Sequence, residues 1–348
     1  MNVIRARNVN DAWDLAKNLL NQNHVTRNSR VGEVIECAEP VSTVYENPCE
    51  RVLFNSLRNP NAIFHFMESM HMLAGRNDVA WLERFNSKIS DFVGKDPHQH
   101  GAYGYRWRHS FDLDGGAEDG YADQLPKIVR MLKKDPNERR AVLCMWNPIL
   151  DLERPDVADI PCNLIVTFKI REGRLCMIVF CRSNDIIFGC YGANVVHFSF
   201  LQEYMAAQIG IPVGTYTQIS DSFHAYTARW KEFGGFDTTP SWNLYNPTGH
   251  RGSVTPYKLV DDPETFDEDL QVWMERDWKQ GDDVPDFNNA FFPDVAEPLW
   301  LSWESYKMGN LDDALKLVSN CEATDWQAAS KFWYKRVQEK RNQKGVTA

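Results

Sequence analysis

The spacing of apolar positions divides the chain into a helical beginning, a strand-rich middle and a helical tail. Val9, Ala12, Trp13, Ala16, Leu19 and Leu20 make one face of a helix over Asn8 to Asn21, and the whole stretch Met1 to Leu20 reads as amphipathic helix. A second helix is predicted over Ala62 to Leu73, where Phe64, Phe66, Met67, Met70 and Leu73 are apolar and Glu68 breaks the run. The polar stretch Lys95 to Gly120 is interrupted by the aromatic cluster Tyr103-Gly-Tyr-Arg-Trp-Arg108. Ala141 to Trp146 is a short run of the buried-strand type, and Leu164 to Ile170 pairs with Leu175 to Cys181 across Arg171-Glu-Gly-Arg174. Val195 to Ile209 returns to helical spacing, and Gly214 to Ile219 alternates like a strand. Asp261 to Asp294, acidic and punctuated by proline, reads as loop. Leu299 to Lys307, Asp312 to Val318 and Trp326 to Lys340 form a helical tail, and Asn342 to Ala348 reads as frayed. The tail tryptophans Trp300, Trp303, Trp326 and Trp333 fit tail core better than a partner surface. The class is α+β, with a division between 1–260 and 261–348.

Composition changes this picture mainly by exclusion. The 348 residues are 43% apolar and 25% charged, as in ordinary globular proteins. A net charge of −10 and a pI near 5.4 do not suit a general nucleic-acid binder. No stretch approaches the roughly 18–20 continuous apolar residues of a membrane span, and the N-terminus lacks the apolar core of a signal peptide. The eight cysteines show no CxxC pair and no zinc-like spacing with the histidines, so no metal is expected. Cys144, Cys176, Cys181 and Cys190 lie in or beside apolar runs, as buried free thiols do. A reducing, cytoplasmic compartment is the expectation, the host's cytoplasm if the gene is a phage's.

Cys162 differs from the other cysteines. It follows Pro161 at the end of an acidic loop (Asp151, Glu153, Asp156, Asp159) and precedes a strand, which places it at a strand mouth. For an arbitrary cysteine a buried strand-end thiol is the ordinary reading; the arginines change that. Arg139-Arg140 precedes one strand and Arg182-Ser183 ends another, and paired guanidiniums suit bidentate binding of phosphate. Such a cluster would also lower a thiol pKa.

These residues carry a resemblance to the thymidylate synthase superfamily over Asn8 to Tyr226. Arg139-Arg140 is followed by Trp146-Asn147-Pro148, then Pro161-Cys162-Asn163, then Cys181-Arg182-Ser183-Asn184-Asp185 with Gly189 and Asn194, and finally His224-Ala225-Tyr226. Upstream, Glu68 with Gly75 and the Tyr103-Gly104-(2)-Trp107-Arg108 cluster match in order. The resemblance implies a large mixed sheet whose face forms a homodimer interface, with a helical C-terminal extension. It implies a nucleophile, Cys162, that adds to C6 of a pyrimidine deoxynucleoside monophosphate, making C5 nucleophilic toward 5,10-methylenetetrahydrofolate. Glu68 resembles the acid–base and water-ordering carboxylate, and Tyr103 the tyrosine that helps position the base and water. Arg30, Arg182 and Ser183 resemble the phosphate grip, and Arg139 and Arg140 the arginines that reach into the partner's site. His224 and Tyr226 resemble the pair at the sugar 3′-hydroxyl. Asp185, with Gly189, resembles the folate-binding segment.

Departures from the synthases bear on the product. The synthase tryptophan that packs on folate falls at about Ser90, counting from Ala80-Trp81-Leu82. The synthase Pro-Cys-His is Pro161-Cys162-Asn163, and Arg182-Ser-Asn-Asp-Ile-Ile-Phe-Gly189 is closer to the phage pyrimidine hydroxymethylases. The chain also runs on into acidic and helical segments where synthases end in a short apolar tail. These features favour water over folate hydride in capturing the methylene group, hence dUMP hydroxymethylation; methylation of dUMP to dTMP and hydroxymethylation of dCMP are the alternatives. Uracil is preferred if an amide reads the base. That residue is Asn194 with one extra residue after Gly189, and Ala193 without it. A nucleotide-binding protein without turnover is the remote alternative, disfavoured because Cys162, Glu68, Arg182 and Asp185 occur together.

Overall fold

A computed structural model describes residues 1–94, 96–109, 123–154, 159–237, 241–245, 253–277, 281 and 283–346. Asp156 of the acidic loop, and Lys95 and residues 110–122 around the polar stretch, lie outside the described residues.

The middle third folds as its alternation predicts. Strands β6 (Asn163–Arg171) and β7 (Arg174–Asp185) form an antiparallel hairpin, turned by Glu172 (φ 51°) and Gly173 (φ 70°) in the left-handed region that a two-residue turn requires. The short strand β5 (Val142–Cys144) pairs with β6 on its free edge. Strand β8 (Val213–Tyr226) lies parallel to β7. It runs well past the expected Gly214 to Ile219, because Gln218, Ser220 and His224 are polar yet buried and so hide the strand pattern. The connection from β7 to β8 is the helix Val195–Ile209, preceded by a π-helical turn over Ile186–Asn194. Gln202 ties that helix to the sheet by donating to the Leu175 carbonyl oxygen at 2.8 Å.

The N-terminal region departs from expectation. Met1 to Leu20 is not one helix: β1 (Asn2–Ala6) comes first, pairing parallel with β4 (Val41–Tyr45), which in turn pairs antiparallel with β8. Asn8 sets the helix start, its side chain accepting from the amides of Asn10 and Asp11, so the helix spans Val9–Gln22. The hairpin β2 (His24–Ser29) and β3 (Gly32–Cys37) joins the sheet through β3 on the distal part of β8. The result is an eight-stranded mixed sheet with the order β1-β4-β8-β7-β6-β5.

The tail is helical as predicted, over Glu297–Lys307, Leu311–Leu317 and Thr324–Val346. The last helix continues through most of the stretch expected to fray. The acidic segment is not simply loop, since Phe266–Glu275 is a helix whose Phe266, Leu270, Trp273 and Met274 are buried. Those four positions keep helical spacing, but the intervening acidic residues obscure it. Trp300, Trp303 and Trp326 are buried and Trp333 packs against the same core. The tail rests on the Ala62–Leu73 helix, where the Phe66 ring meets Trp326 (5.4 Å between centroids) and Phe291 (5.7 Å). Trp81 turns toward this core too, 5.7 Å from Trp300. Burying such aromatics contributes several kcal/mol each. Trp326→Ala should therefore lower the unfolding free energy by about 3–5 kcal/mol, read as a fall in the denaturant midpoint at unchanged m-value; a loss under about 1 kcal/mol would separate the tail from the core.

Candidate active site

Cys162 sits at the entry to β6, half-buried, and its position is set by backbone contacts. Its amide and that of Asn163 both donate to the Tyr103 hydroxyl, at 3.2 and 3.3 Å. Its carbonyl oxygen accepts from the Arg182 amide at 2.9 Å. The Arg182 guanidinium donates to the carbonyl oxygens of Pro161 (3.0 Å) and Ile160 (3.1 Å). Tyr103 opens the helix Tyr103–Arg108, which lies hard against the Ala62–Leu73 helix. Gly104 makes this approach possible, since a Cβ there would stand 2.1 Å from the Met72 carbonyl oxygen. Arg106, also buried, locks the same helix by a two-pronged contact with Asp151 at 2.6 and 2.8 Å and by donating to the Met145 carbonyl oxygen at 2.7 Å.

Burial pushes the Cys162 thiol above its ordinary range; the Arg182 charge partly offsets this and Asp159 adds to it. The lowering expected from an arginine cluster thus does not prevail in the free site. Arg139 and Arg140 do not contribute to it: both are exposed, and Arg140 pairs with Glu138 at 2.6 Å.

Two cavities flank this strand mouth and share Ile160 in their walls. The larger, of 530 Å³, brings together Arg30, Arg182, Ser183, His224 and Tyr226, and adds Arg27 and Ser222, which sequence reasoning missed. The parallel register explains the grouping, because Ser183 faces Ser222 and Asp185 faces His224 across β7 and β8. The β2–β3 hairpin brings its turn, with Arg30, over the same end by pairing Val34 with Tyr226 and Glu36 with His224. The Ser222 hydroxyl and His224 Nδ1 are 2.9 Å apart, and Tyr226 stands edge-on to His224. Arg27 is paired with Glu36 of the same wall at 2.8 Å; Arg30 and Arg182, the serine hydroxyls and the His–Tyr pair beside them suit an anionic group attached to a sugar.

The smaller cavity, of 230 Å³, brings together Cys162, Glu68, Tyr103 and Asn194. Burial raises the Tyr103 phenol well above its usual range, with the Cys162 and Cys181 thiols adding to this. His197 is the residue missed here: it is buried one helical turn after Asn194, with Nε2 at 2.9 Å from Glu68 Oε2. Its only sequence signal is a lone imidazole in the apolar run Val195-Val-His-Phe-Ser-Phe200.

Asn194, not Ala193, is the side chain held in the polar network, donating to Asn184 at 3.1 Å and accepting from Asn163 at 3.2 Å. The π-helical turn over Ile186–Asn194 accommodates the extra residue, since a wider turn holds one more residue than an α-helical one. Asp185 and Gly189 line neither of these two cavities. Asp185 caps the π-helical turn, accepting from the amides of Ile187 and Phe188, and burial raises its carboxyl pKa. All eight cysteines are free, and Cys144 is only half-buried. Among the described residues no group of three or more His, Cys, Asp or Glu could hold a metal, and no helix is long and apolar enough to cross a membrane.

Comparison with known proteins adds an independent finding. Residues 43–235, more than half of the chain, match the family model for thymidylate synthase. The chain is 39% identical over 346 residues to a deoxyuridylate hydroxymethyltransferase of Pseudomonas phage M6, covering 97% of this chain and 94% of that one. It is 38% identical over 198 residues to the protein of that name from Bacillus phage SP01, covering 56% of this chain and 51% of the other. A putative thymidylate synthase of Methanosarcina mazei is 29% identical over 230 residues, covering 66% of this chain and 91% of its own.

The thiol electrostatics make a direct prediction. Alkylation of Cys162 by iodoacetamide, followed by mass spectrometry against pH, should show a midpoint above the usual thiol value of 9.0. Arg182→Ala removes the cation that favours the thiolate, so its midpoint should move higher still and alkylation at pH 8 should slow. A midpoint below 9.0, or a downward move in Arg182→Ala, would contradict the assigned causes.

Proposed function

The chain belongs to the thymidylate synthase family, and we propose that it hydroxymethylates C5 of dUMP with 5,10-methylenetetrahydrofolate as the one-carbon donor. The observation that carries the reading is the match to a phage deoxyuridylate hydroxymethyltransferase through 97% of the chain, tail included. The geometry supports it independently. Arg30, Arg182 and Ser183 receive the phosphate, and His224 and Tyr226 receive the sugar 3′-hydroxyl. Ile160, shared by both cavities, supports a base lying against the smaller one, where Asn194 offers uracil both a donor and an acceptor.

Cys162 Sγ then bonds to C6, which breaks the ring conjugation and leaves C5 as the carbon nucleophile. The folate supplies the one-carbon unit that C5 takes up. Glu68 orders water and moves protons at C4 and C5, and the C5 hydrogen leaves as a proton. Tyr103 holds the Cys162–Asn163 backbone while the thiol adds and departs. Water captures the methylene group because a polar wall including Glu68 and His197, and among the described residues no tryptophan ring, lines the space beside Cys162. Expulsion of the Cys162 thiolate completes the turnover. Asp185 and Gly189 approach the folate, and Arg139 and Arg140 serve the phosphate of the partner's site in a homodimer. In this reading residues 1–260 form the catalytic domain, 261–348 its extension, and the enzyme works in the cytoplasm, the host's if the gene is a phage's.

The product tests the reaction. With dUMP and methylenetetrahydrofolate, mass spectrometry should find a nucleotide one oxygen heavier than dTMP. There should be no absorbance rise at ~340 nm from dihydrofolate, because hydroxymethyl transfer returns tetrahydrofolate. Cys162→Ser should lose roughly 10³-fold or more of the turnover while retaining dUMP; stoichiometric dTMP and dihydrofolate would make the enzyme a methylating synthase. Mixing Cys162→Ser with Arg140→Ala subunits should restore part of the activity through hybrid sites, and no recovery after demonstrated subunit exchange would remove the shared-site arrangement.

A further inference from the structure

The smaller cavity is walled by several charged or titratable side chains, and most of them are already engaged. Arg76 grips both carboxylate oxygens of Asp78, at 2.7 and 2.8 Å. His71 stacks on Trp81, 5.5 Å between centroids, with Nε2 at 3.1 Å from the Asp78 carbonyl oxygen. Asp159 accepts from the Gly101 amide at 3.0 Å, and the Tyr103 hydroxyl accepts from the amides of Cys162 and Asn163. Glu68 and His197 remain. Among the described residues Glu68 has no ion-pair neighbour but His197, whose Nε2 stands 2.9 Å from Oε2, within hydrogen-bond distance though off the line of an ideal bond. His197 is 4% exposed, and its Nδ1 is buried without a partner among the described residues. Helix phase brings the imidazole here, since His197 lies one turn after Asn194 and both reach the wall that holds Cys162.

We propose that His197 is a positioning residue that gives the methylene intermediate to water: by donating from Nε2 to Glu68 Oε2, it holds the carboxylate so that Oε1 takes the proton of the attacking water. The inference rests on the hydroxymethylation reading above. The tautomer follows from the surroundings. A proton on Nδ1 would be buried without an acceptor and would set the Nε2 lone pair against a carboxylate oxygen, so neutral His197 carries its proton on Nε2. Without that donor the Glu68 side chain samples several rotamers, and a base that must first find its water loses rate. The step balances with water alone as the added reagent. The water oxygen bonds to the exocyclic methylene carbon, the electron pair of its double bond moves through C5 onto O4, and the water proton passes to Glu68 Oε1. The enolate then re-forms the C5–C6 double bond and expels the Cys162 thiolate, and the Glu68 proton leaves to solvent.

An added thiol separates this role from a merely structural one, because a thiolate attacks the same methylene carbon with no proton for Glu68 to remove. With dUMP, methylenetetrahydrofolate and 2-mercaptoethanol, mass spectrometry reads the ratio of thioether nucleotide to 5-hydroxymethyl-dUMP. A variant that only disturbs folding or dUMP binding lowers both products together and leaves the ratio unchanged. In His197→Leu the ratio should rise at least about tenfold over wild type, the worth of one hydrogen bond to a charged group. His197→Gln, whose amide N–H lies where the imidazole Nε2 was, should keep the ratio within about threefold of wild type. Leu and Gln are both close to His in volume, so room for the thiol does not distinguish them. His197→Asn is too short to reach Glu68 and should behave as His197→Leu. Thermal unfolding confirms that each variant is folded, and if His197→Leu does not fold, His197→Asn carries its arm of the comparison. Folded His197→Leu or His197→Asn with the wild-type ratio, thioether absent from both enzymes included, or His197→Gln with a ratio as high as theirs, would overturn the role of His197. Wild-type enzyme that converts dUMP to dTMP without the hydroxymethyl product would instead overturn the proposed function.

Discussion

The parallel register of β7 against β8 is the constraint on which the site depends. Past Cys181 the two strands stay paired, Ser183 to Ser222 and Asp185 to His224, so Ser183, Ser222 and His224, which line the larger cavity, are set side by side. A slip of one residue would turn each of those side chains to the other face of the sheet. Parallel neighbours also need a crossover connection. Here it is the π-helical turn and the Val195–Ile209 helix, which deliver Asn194 and His197 to the same end of the strands. The strand ends that line the larger cavity and the helix start that lines the smaller one are therefore consequences of one pairing. The β2–β3 hairpin extends it, because β3 lies on β8 in the register that sets its turn beside Arg182 and Ser183.

Around this frame Arg106 shows how the molecule holds a buried charge. Arg106 meets Asp151 and backbone oxygens together, which is what makes a buried ion pair tolerable. Arg182 stays at the cavity, shared between the carbonyl oxygens beside Cys162 and the space opposite Arg30. The thiol between these two zones feels burial more strongly than it feels the guanidinium.

Much of this was legible in the sequence, and what was not has physical causes. The helices over Ala62–Leu73 and Val195–Ile209 and the β6–β7 hairpin show in the apolar spacing because each buries a continuous apolar face. Strand β2 shows nothing, since five of its six residues are exposed. The distal half of β8 hides behind buried polar residues, and the Phe266–Glu275 helix behind its own acids. In the site, Cys162, Glu68, Arg182 and His224 could be named because their chemistry and order are distinctive. Arg27, Ser222 and His197 could not, because their place comes from strand register and helix phase, which residue type does not carry. That Asn194 reaches the polar network follows from the width of a helical turn, which residue type does not carry either.

The packing of Phe66 between Trp326 and Phe291 has an evolutionary reading. Glu68 lies two residues from Phe66 on the same helix, so a change in tail volume is felt as a rotation or shift of the carboxylate beside Cys162. The tail cannot then drift as an independent appendage. Exchange of tails between related genes would be punished at the active site, and substitutions at positions 66, 291 and 326 should be inherited together.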